Sequence, residues 1–327
     1  MIDTHCHLTF PDFAGRISET LSAAAAAEVT GAISISTTTR DCLEALAIRA
    51  TLAFARLDAA QTIADTEQAL ALLPDAQLSL RTMLTWHLAY IYRSLGETKQ
   101  SREWYQQTIE MSRRGGSFLI NLSARRELAD MLIGQGNLAA AQTMLTQLLA
   151  EAEAKGWQQL WPIAGVYLHL AEIAYEGDAL ATAVTHLQTA VTHPEAAQIG
   201  FDAYGQALLA CIYLAQGDQA AAAEAIQQAE QRVLQTGHPQ RRQLTLAQIT
   251  HFWLAQGNVI RAAAWLPDGR DVPQDPRHEV YVRGQIAHAQ YLLAVGNKAQ
   301  AAKLVAALLP AAEASGRVRD SVALWLL

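Results

Sequence analysis

The chain has 327 residues, 51% of them hydrophobic and 17% charged, with a formal net charge of −7. That composition supports a large buried core and excludes a disordered chain, and the negative balance argues against direct nucleic-acid binding or an anionic membrane surface. Three scattered cysteines, Cys6, Cys42 and Cys211, make neither a disulfide framework nor a metal pair. No apolar run approaches the eighteen or so residues that cross a bilayer, so a cytoplasmic protein is expected.

The first 45 residues stand apart from the rest. MIDTHCHLTF reads as a short strand, PDFAGRISETLSAAAAAEV as an amphipathic helix opened by Pro11, and TGAISISTTT as a second strand, together a βαβ unit. The phrase Asp3-Thr4-His5-Cys6-His7-Leu8, followed by Phe10 and Asp12, resembles the opening of TatD-type metal-dependent deoxyribonucleases. Residues two apart on a strand share a side, and the resemblance implies that His5 and His7 hold a divalent metal. Such a barrel needs about 250 residues, and the resemblance ends near residue 45. The expectation is therefore an incomplete hydrolase site, with no enzyme activity and no cofactor. A TatD-like nuclease using metal at His5 and His7, or a rearranged gene fragment without evolved function, stands as the alternative.

From residue 46 to 327 a single unit repeats. Gly96, Gly136, Gly177, Gly217, Gly257 and Gly296 recur about every 40 residues, each followed by Asp or Asn except Gly96, which precedes Glu97, and a degenerate copy at 55–60 places Leu57 one period earlier. Alanine and leucine dominate on both sides of each glycine, which favours helix. Glycine supplies the positive φ that ends a first helix, and the Asp or Asn after it caps a second. Small residues lie at matched depths: Ala89, Ala129, Ala210, Thr250 and Ala289 seven before the glycine, with Ala171 six before Gly177. Ser101, Ala141, Ala222, Ala262 and Ala301 lie five after. Matched small side chains let the two helix axes approach closely. A fixed period of this size marks a solenoid whose units bury their apolar faces against one another. The expected fold is mainly all-α, a right-handed superhelix of about seven helix pairs, with the short βαβ fragment at its N-terminus.

This pattern resembles the tetratricopeptide repeat. In its long unit, and in phrases such as IAGVYLHLAEIAYEGD, it is similar to the superhelical sensor region of MalT-type regulators, the large ATP-dependent members of the LuxR family. The resemblance implies a region that lies between an ATPase module and a DNA-binding helix-turn-helix and binds an inducer or a regulatory protein. No G-x-x-x-x-G-K-[ST] occurs in the chain, so the expectation is a binding scaffold without the ATPase and DNA-reading parts, truncated within a fresh first helix at its C-terminus.

The resemblance to tetratricopeptide arrays places the first helices on the concave side. Counting back three, six and ten residues from each glycine marks groove candidates, among them Trp86, Tyr90, Arg93, Arg126, Asp130, His251 and Gln290. This mixed polar and aromatic set suits a protein or small effector. The helix from Arg317 lacks a covering partner, so Val322, Leu324 and Leu326 are expected to lie partly bare, offering a surface for homo-oligomerisation.

Overall fold

In the computed structural model the described residues are 2–6, 16, 19–20, 23, 31–34, 39–55, 58–197, 200–270 and 272–327. Two short strands, β1 (Ile2–Cys6) and β2 (Gly31–Ser34), pair in parallel, with Ile2 opposite Gly31 and Asp3 opposite Ala32. Most of the helix expected between them, and Leu57, lie outside the described residues.

Helices then alternate in the manner that the repeat predicts. Seven antiparallel pairs follow: α1 (Thr39–Ala55) with α2 (Ala59–Leu72), α3 (Leu78–Ser94) with α4 (Thr98–Gly115), and α5 (Phe118–Gly134) with α6 (Leu138–Lys155). Next come α7 (Trp161–Glu176) with α8 (Leu180–Thr192), α9 (Phe201–Ala215) with α10 (Gln219–Val233), α11 (Pro239–Ala255) with the short α12 (Val259–Ala264), and α13 (Glu279–Ala294) with α14 (Lys298–Ala314). A last first helix, α15 (Val318–Trp325), closes the series. The architecture is an α-solenoid.

The small residues sit where two helices of a pair cross. Ala89, Ala129, Ala171, Ala210, Thr250 and Ala289 are wholly buried on the first helices, and Ser101, Ala141, Ala183, Ala222, Ala262 and Ala301 face them from the second. Interiors packed to crystal-like density leave no room there for an added methylene, which typically costs about 1–3 kcal/mol when forced in. At the fourth turn the structure corrects the reading of the repeat. Gly177 has φ −86°, and Asp178, at φ +58°, takes the left-handed conformation instead. Counted from Asp178, Ala171 falls seven before and Ala183 five after, so the apparent irregularity disappears. The aspartate tolerates this conformation better than most side chains do.

The expected caps form at some turns only. Asp58, Asp218, Asn258 and Asn297 accept from the backbone N–H three residues on, at 3.0, 3.0, 3.1 and 3.3 Å. Asn137 makes no such bond.

The array winds round so that its last helices meet its early ones. Thr98 Oγ1 donates to the Ser315 carbonyl at 3.0 Å, Arg277 pairs with Glu97 at 3.1 Å, and Arg319 pairs with Glu176 at 2.7 Å. α15 is part of this seam. Leu324, expected to be partly bare, is instead buried at 1% exposure in a cluster with Val282, Leu308 and Ala312, because α15 packs against the last pair as the next first helix would. Val322, Trp325 and Leu326 remain exposed.

Candidate functional site

The first helices face a common interior. Side chains from α3, α5, α7, α9, α11 and α13 line one cleft, about 640 Å³ of space when its opening to solvent is counted. A smaller cavity of about 490 Å³ follows the seam and shares Arg93, Asp130, Glu279 and Arg283 with it.

The wall of the cleft does not keep a fixed place in the repeat. On α3 it is formed by Tyr90 and Arg93, six and three residues before the glycine; on α5 by Glu127 and Asp130, nine and six before. On α9 it has moved back to Tyr204, and on α11 and α13 it starts at the helix N-termini, with Gln240, Arg241, His278 and Glu279, and reaches one turn further to Leu244 and Arg283. The solenoid axis is inclined to its helices, so a line drawn along the cleft crosses successive first helices ever nearer their N-termini.

Ionised groups fill much of this interior. The Arg93 guanidinium donates to Glu127 and Asp130 and, at 3.0 Å, to Glu279 on α13, so it ties three first helices together. Arg126 donates to Glu127 and, at 3.1 Å, to His169 Nε2. A guanidinium can only donate, so Nε2 is the acceptor and the ring proton of His169 resides on Nδ1. That nitrogen faces Glu172 Oε2 at 3.3 Å and Asp130 Oδ1 at 3.7 Å. Tyr204 completes the set, its hydroxyl donating to Glu172 Oε1 at 2.8 Å.

Burial opposes ionisation of these carboxyls, but the guanidiniums overcome it. Arg126 and Arg93 hold Glu127 low, Arg93 holds Asp130 well below the usual range, and Arg319 together with the His169 hydrogen bond brings Glu172 to about 2. The same burial pushes the Tyr90 phenol up to about 12 and lowers His278 to about 4. Charge is therefore paired in place.

Asp130, His169 and Glu172 have ligand atoms within 4.8 Å of one another, the spacing of a metal site. Their lone pairs are already committed. Asp130 accepts from Arg93, Glu172 accepts from Tyr204 and lies 3.7 Å from Arg319, and the His169 ring is held between Arg126 and Glu172. Three guanidiniums around the cluster supply the positive charge a cation would bring, so the arrangement is an ion-pair network.

Of the groove candidates read from the sequence, Tyr90, Arg93 and Asp130 line the cleft. Arg126 is buried beside it in the network. Trp86 stands next to Tyr90 in an aromatic group with Phe54 and His87, ring centroids 5.4 Å from Phe54 and 5.9 Å from Tyr90. His251 and Gln290 approach each other at 3.4 Å on α11 and α13 and do not line the cleft. The fixed count missed Glu127, Glu172, Tyr204, Arg241 and His278. Their signal was polar or aromatic residues within apolar first helices, such as His169 and Glu172 in VYLHLAEIAYE. His5 lies in β1 with its side chain outside the described residues, and His7 is outside them altogether.

The family described as the MalT-like TPR region matches residues 44–327. The chain belongs to that family. Within this MalT-like TPR array fall the fifteen helices given above, all but the first residues of α1. The resemblance of residues 1–45 to TatD-type deoxyribonucleases is not borne out, since the family match covers the helical array and begins where that segment ends. No curated protein sequence matches the chain. Among solved structures, a Rap protein complexed with competence and sporulation factor superposes with TM-score 0.64 at 14% identity, covering 93% of this chain and 80% of that one. The Rap conjugation gene regulator of plasmid pLS20, in complex with the Phr* peptide, gives 0.55 at 12% identity over 78% of this chain and 76% of that one. NprR in complex with its cognate peptide NprX gives 0.51 at 14% identity, over 88% and 82%. At these identities the likeness is one of fold.

Proposed function

We propose that the chain is a non-catalytic sensor scaffold that holds a protein segment or small effector in the cleft between its first helices. The observation that carries this reading is the convergence of six successive first helices on one cleft, polar in lining and bridged across the superhelix by Arg93 and Glu279. The MalT-like TPR family and the peptide complexes of the Rap and NprR structures support it. The chemistry of the cleft also favours binding over catalysis. Its carboxylates are spent on guanidiniums. A net charge of −7 fits a partner other than nucleic acid.

A thermal-shift screen of short peptides and oligosaccharides on the wild type and on Leu244→Trp tests the reading, because Leu244 lines the cleft and an indole there fills it. A ligand at a hundred times its Kd is expected to raise Tm by roughly 5 °C in the wild type and to have little effect on the variant. Equal shifts in both proteins would overturn the cleft as the binding site.

A further inference from the structure

One guanidinium in the cleft has no partner. Among the described residues the arginines around the cleft are engaged by carboxylates: Arg93 by Glu127, Asp130 and Glu279, Arg126 by Glu127, Arg283 by Glu279, and Arg319 by Glu172 and Glu176. Arg241, on the first turn of α11, lines the same cleft without a side-chain hydrogen bond or ion pair. Its guanidinium carbon sits 4.5 Å from the centroid of the Phe201 ring, and that of Arg126 approaches the same ring at 5.6 Å. Two cations thus flank one aromatic ring, and only one of them is neutralised. Stacking orients the Arg241 fork without using its five N–H donors.

Two further donors in the lining are free. His278 is buried at 1% exposure; its Nδ1 accepts from the backbone N–H of Tyr281 at 3.3 Å, so the proton is on Nε2, which has no partner. Gln240, buried at 8%, accepts from the Tyr90 hydroxyl through Oε1 and leaves its NH₂ group unbonded. The lining therefore carries donors without an acceptor at Arg241, Gln240 and His278. Burial and the neighbouring Arg126 charge disfavour the ionised form of Arg241, and the more distant Glu127 and Asp130 offset this only in part, so an anion in contact with the guanidinium would relieve it.

We propose that Arg241, with Gln240 and His278, forms an oxyanion subsite of the cleft, which selects effectors carrying a carboxylate or a phosphate. This rests on the cleft being the effector site and names the chemistry it reads.

The test uses three probes on the full chain, followed by calorimetry: N-acetylated tri-alanine with a free carboxylate, the same peptide as its C-terminal amide, and inorganic phosphate. The two peptides differ in the carboxylate alone. The wild type is expected to bind the acid at least tenfold more tightly than the amide, or to bind phosphate in a form that Arg241→Gln weakens at least tenfold. Preference for the acid without phosphate binding identifies a carboxylate effector, and phosphate binding a phosphorylated one. Arg241→Lys, which keeps the charge and loses the planar fork, is expected to fall between the two. Equal affinity for acid and amide with no phosphate binding overturns the proposal, as does discrimination retained in Arg241→Gln with unaltered circular dichroism. If neutral ligands from the screen lose binding in Leu244→Trp and keep it in Arg241→Gln while the acid is not preferred, the oxyanion subsite falls and the cleft stands.

Discussion

Thr98 Oγ1 donates to the carbonyl of Ser315 at 3.0 Å, joining residues 217 positions apart at the seam where the second helix pair meets the end of the last. Beside it, Gly96 lies so close to Arg277 that a Cβ there would stand 2.6 Å from the Arg277 carbonyl oxygen. The equivalent turn residue Gly217 has nothing within 4 Å of its Cβ position, and both residues have positive φ, +76° and +80°.

The two turns therefore separate a local cost from a seam cost. Gly217→Ala is expected to destabilise by about 1 kcal/mol, the price of a left-handed alanine. Gly96→Ala carries the same penalty and also pushes against the Arg277 backbone. It should lose more stability in urea unfolding and enlarge the radius of gyration in small-angle scattering. Equal behaviour of the two variants would show that the seam does not hold in solution.

Arg93 is the cation that three first helices share. Replacing it with alanine leaves Glu127 buried with Arg126 as its one direct ion pair and Asp130 with no guanidinium in contact. Removing one member of a buried ion pair typically costs about 3–5 kcal/mol, and a loss of that order is expected for Arg93→Ala by chemical denaturation. Arg261→Ala, whose side chain is half exposed, pairs with Glu230 and stacks on the Trp253 ring, should cost less, about 1–2 kcal/mol.

Stability should fall on mild acidification. His87 and His278 are both brought from 6.5 to about 4, in each case chiefly by burial. The unfolded chain binds these protons first, so the stabilisation from the neutral rings is present above pH 6.5 and is lost as pH falls from there through 4, by up to about 3 kcal/mol for each ring. His87 stacks on Phe54 with ring centroids 4.3 Å apart. His87→Phe preserves an aromatic stack and should remove close to one proton from the pH dependence of unfolding between pH 6.5 and 4. Below pH 4.5 the wild type should lose further stability as Glu172, held near 2, is protonated.

Asp178→Gly is expected to stabilise. The aspartate is exposed, holds φ +58° and makes no side-chain hydrogen bond, so glycine relieves a left-handed conformation at a position where the other turns already use it. A gain of about 0.5–1 kcal/mol is expected, read as a higher urea midpoint at unchanged m-value.

Much of the array was legible before any coordinates. Ala89 with Ser101, or Ala210 with Ala222, report local crossings of neighbouring helices, and such contacts are encoded within one repeat. The site was legible only near the start of the count: Tyr90, Arg93 and Asp130 fall on the cleft, whereas His251 and Gln290, chosen by the same offset in later repeats, do not. A constant offset follows one helix face, and the cleft runs obliquely across many.

From its residues alone this chain declares helical pairs, their number, their turns and the small side chains that let each pair close, because those features depend on neighbours within about 40 residues. Tertiary winding decided the rest. It brought Arg93 to Glu279, buried Leu324, and left the Arg241 guanidinium stacked on Phe201 without a direct ion pair, since each of these depends on how small rotations between repeats accumulate along the solenoid.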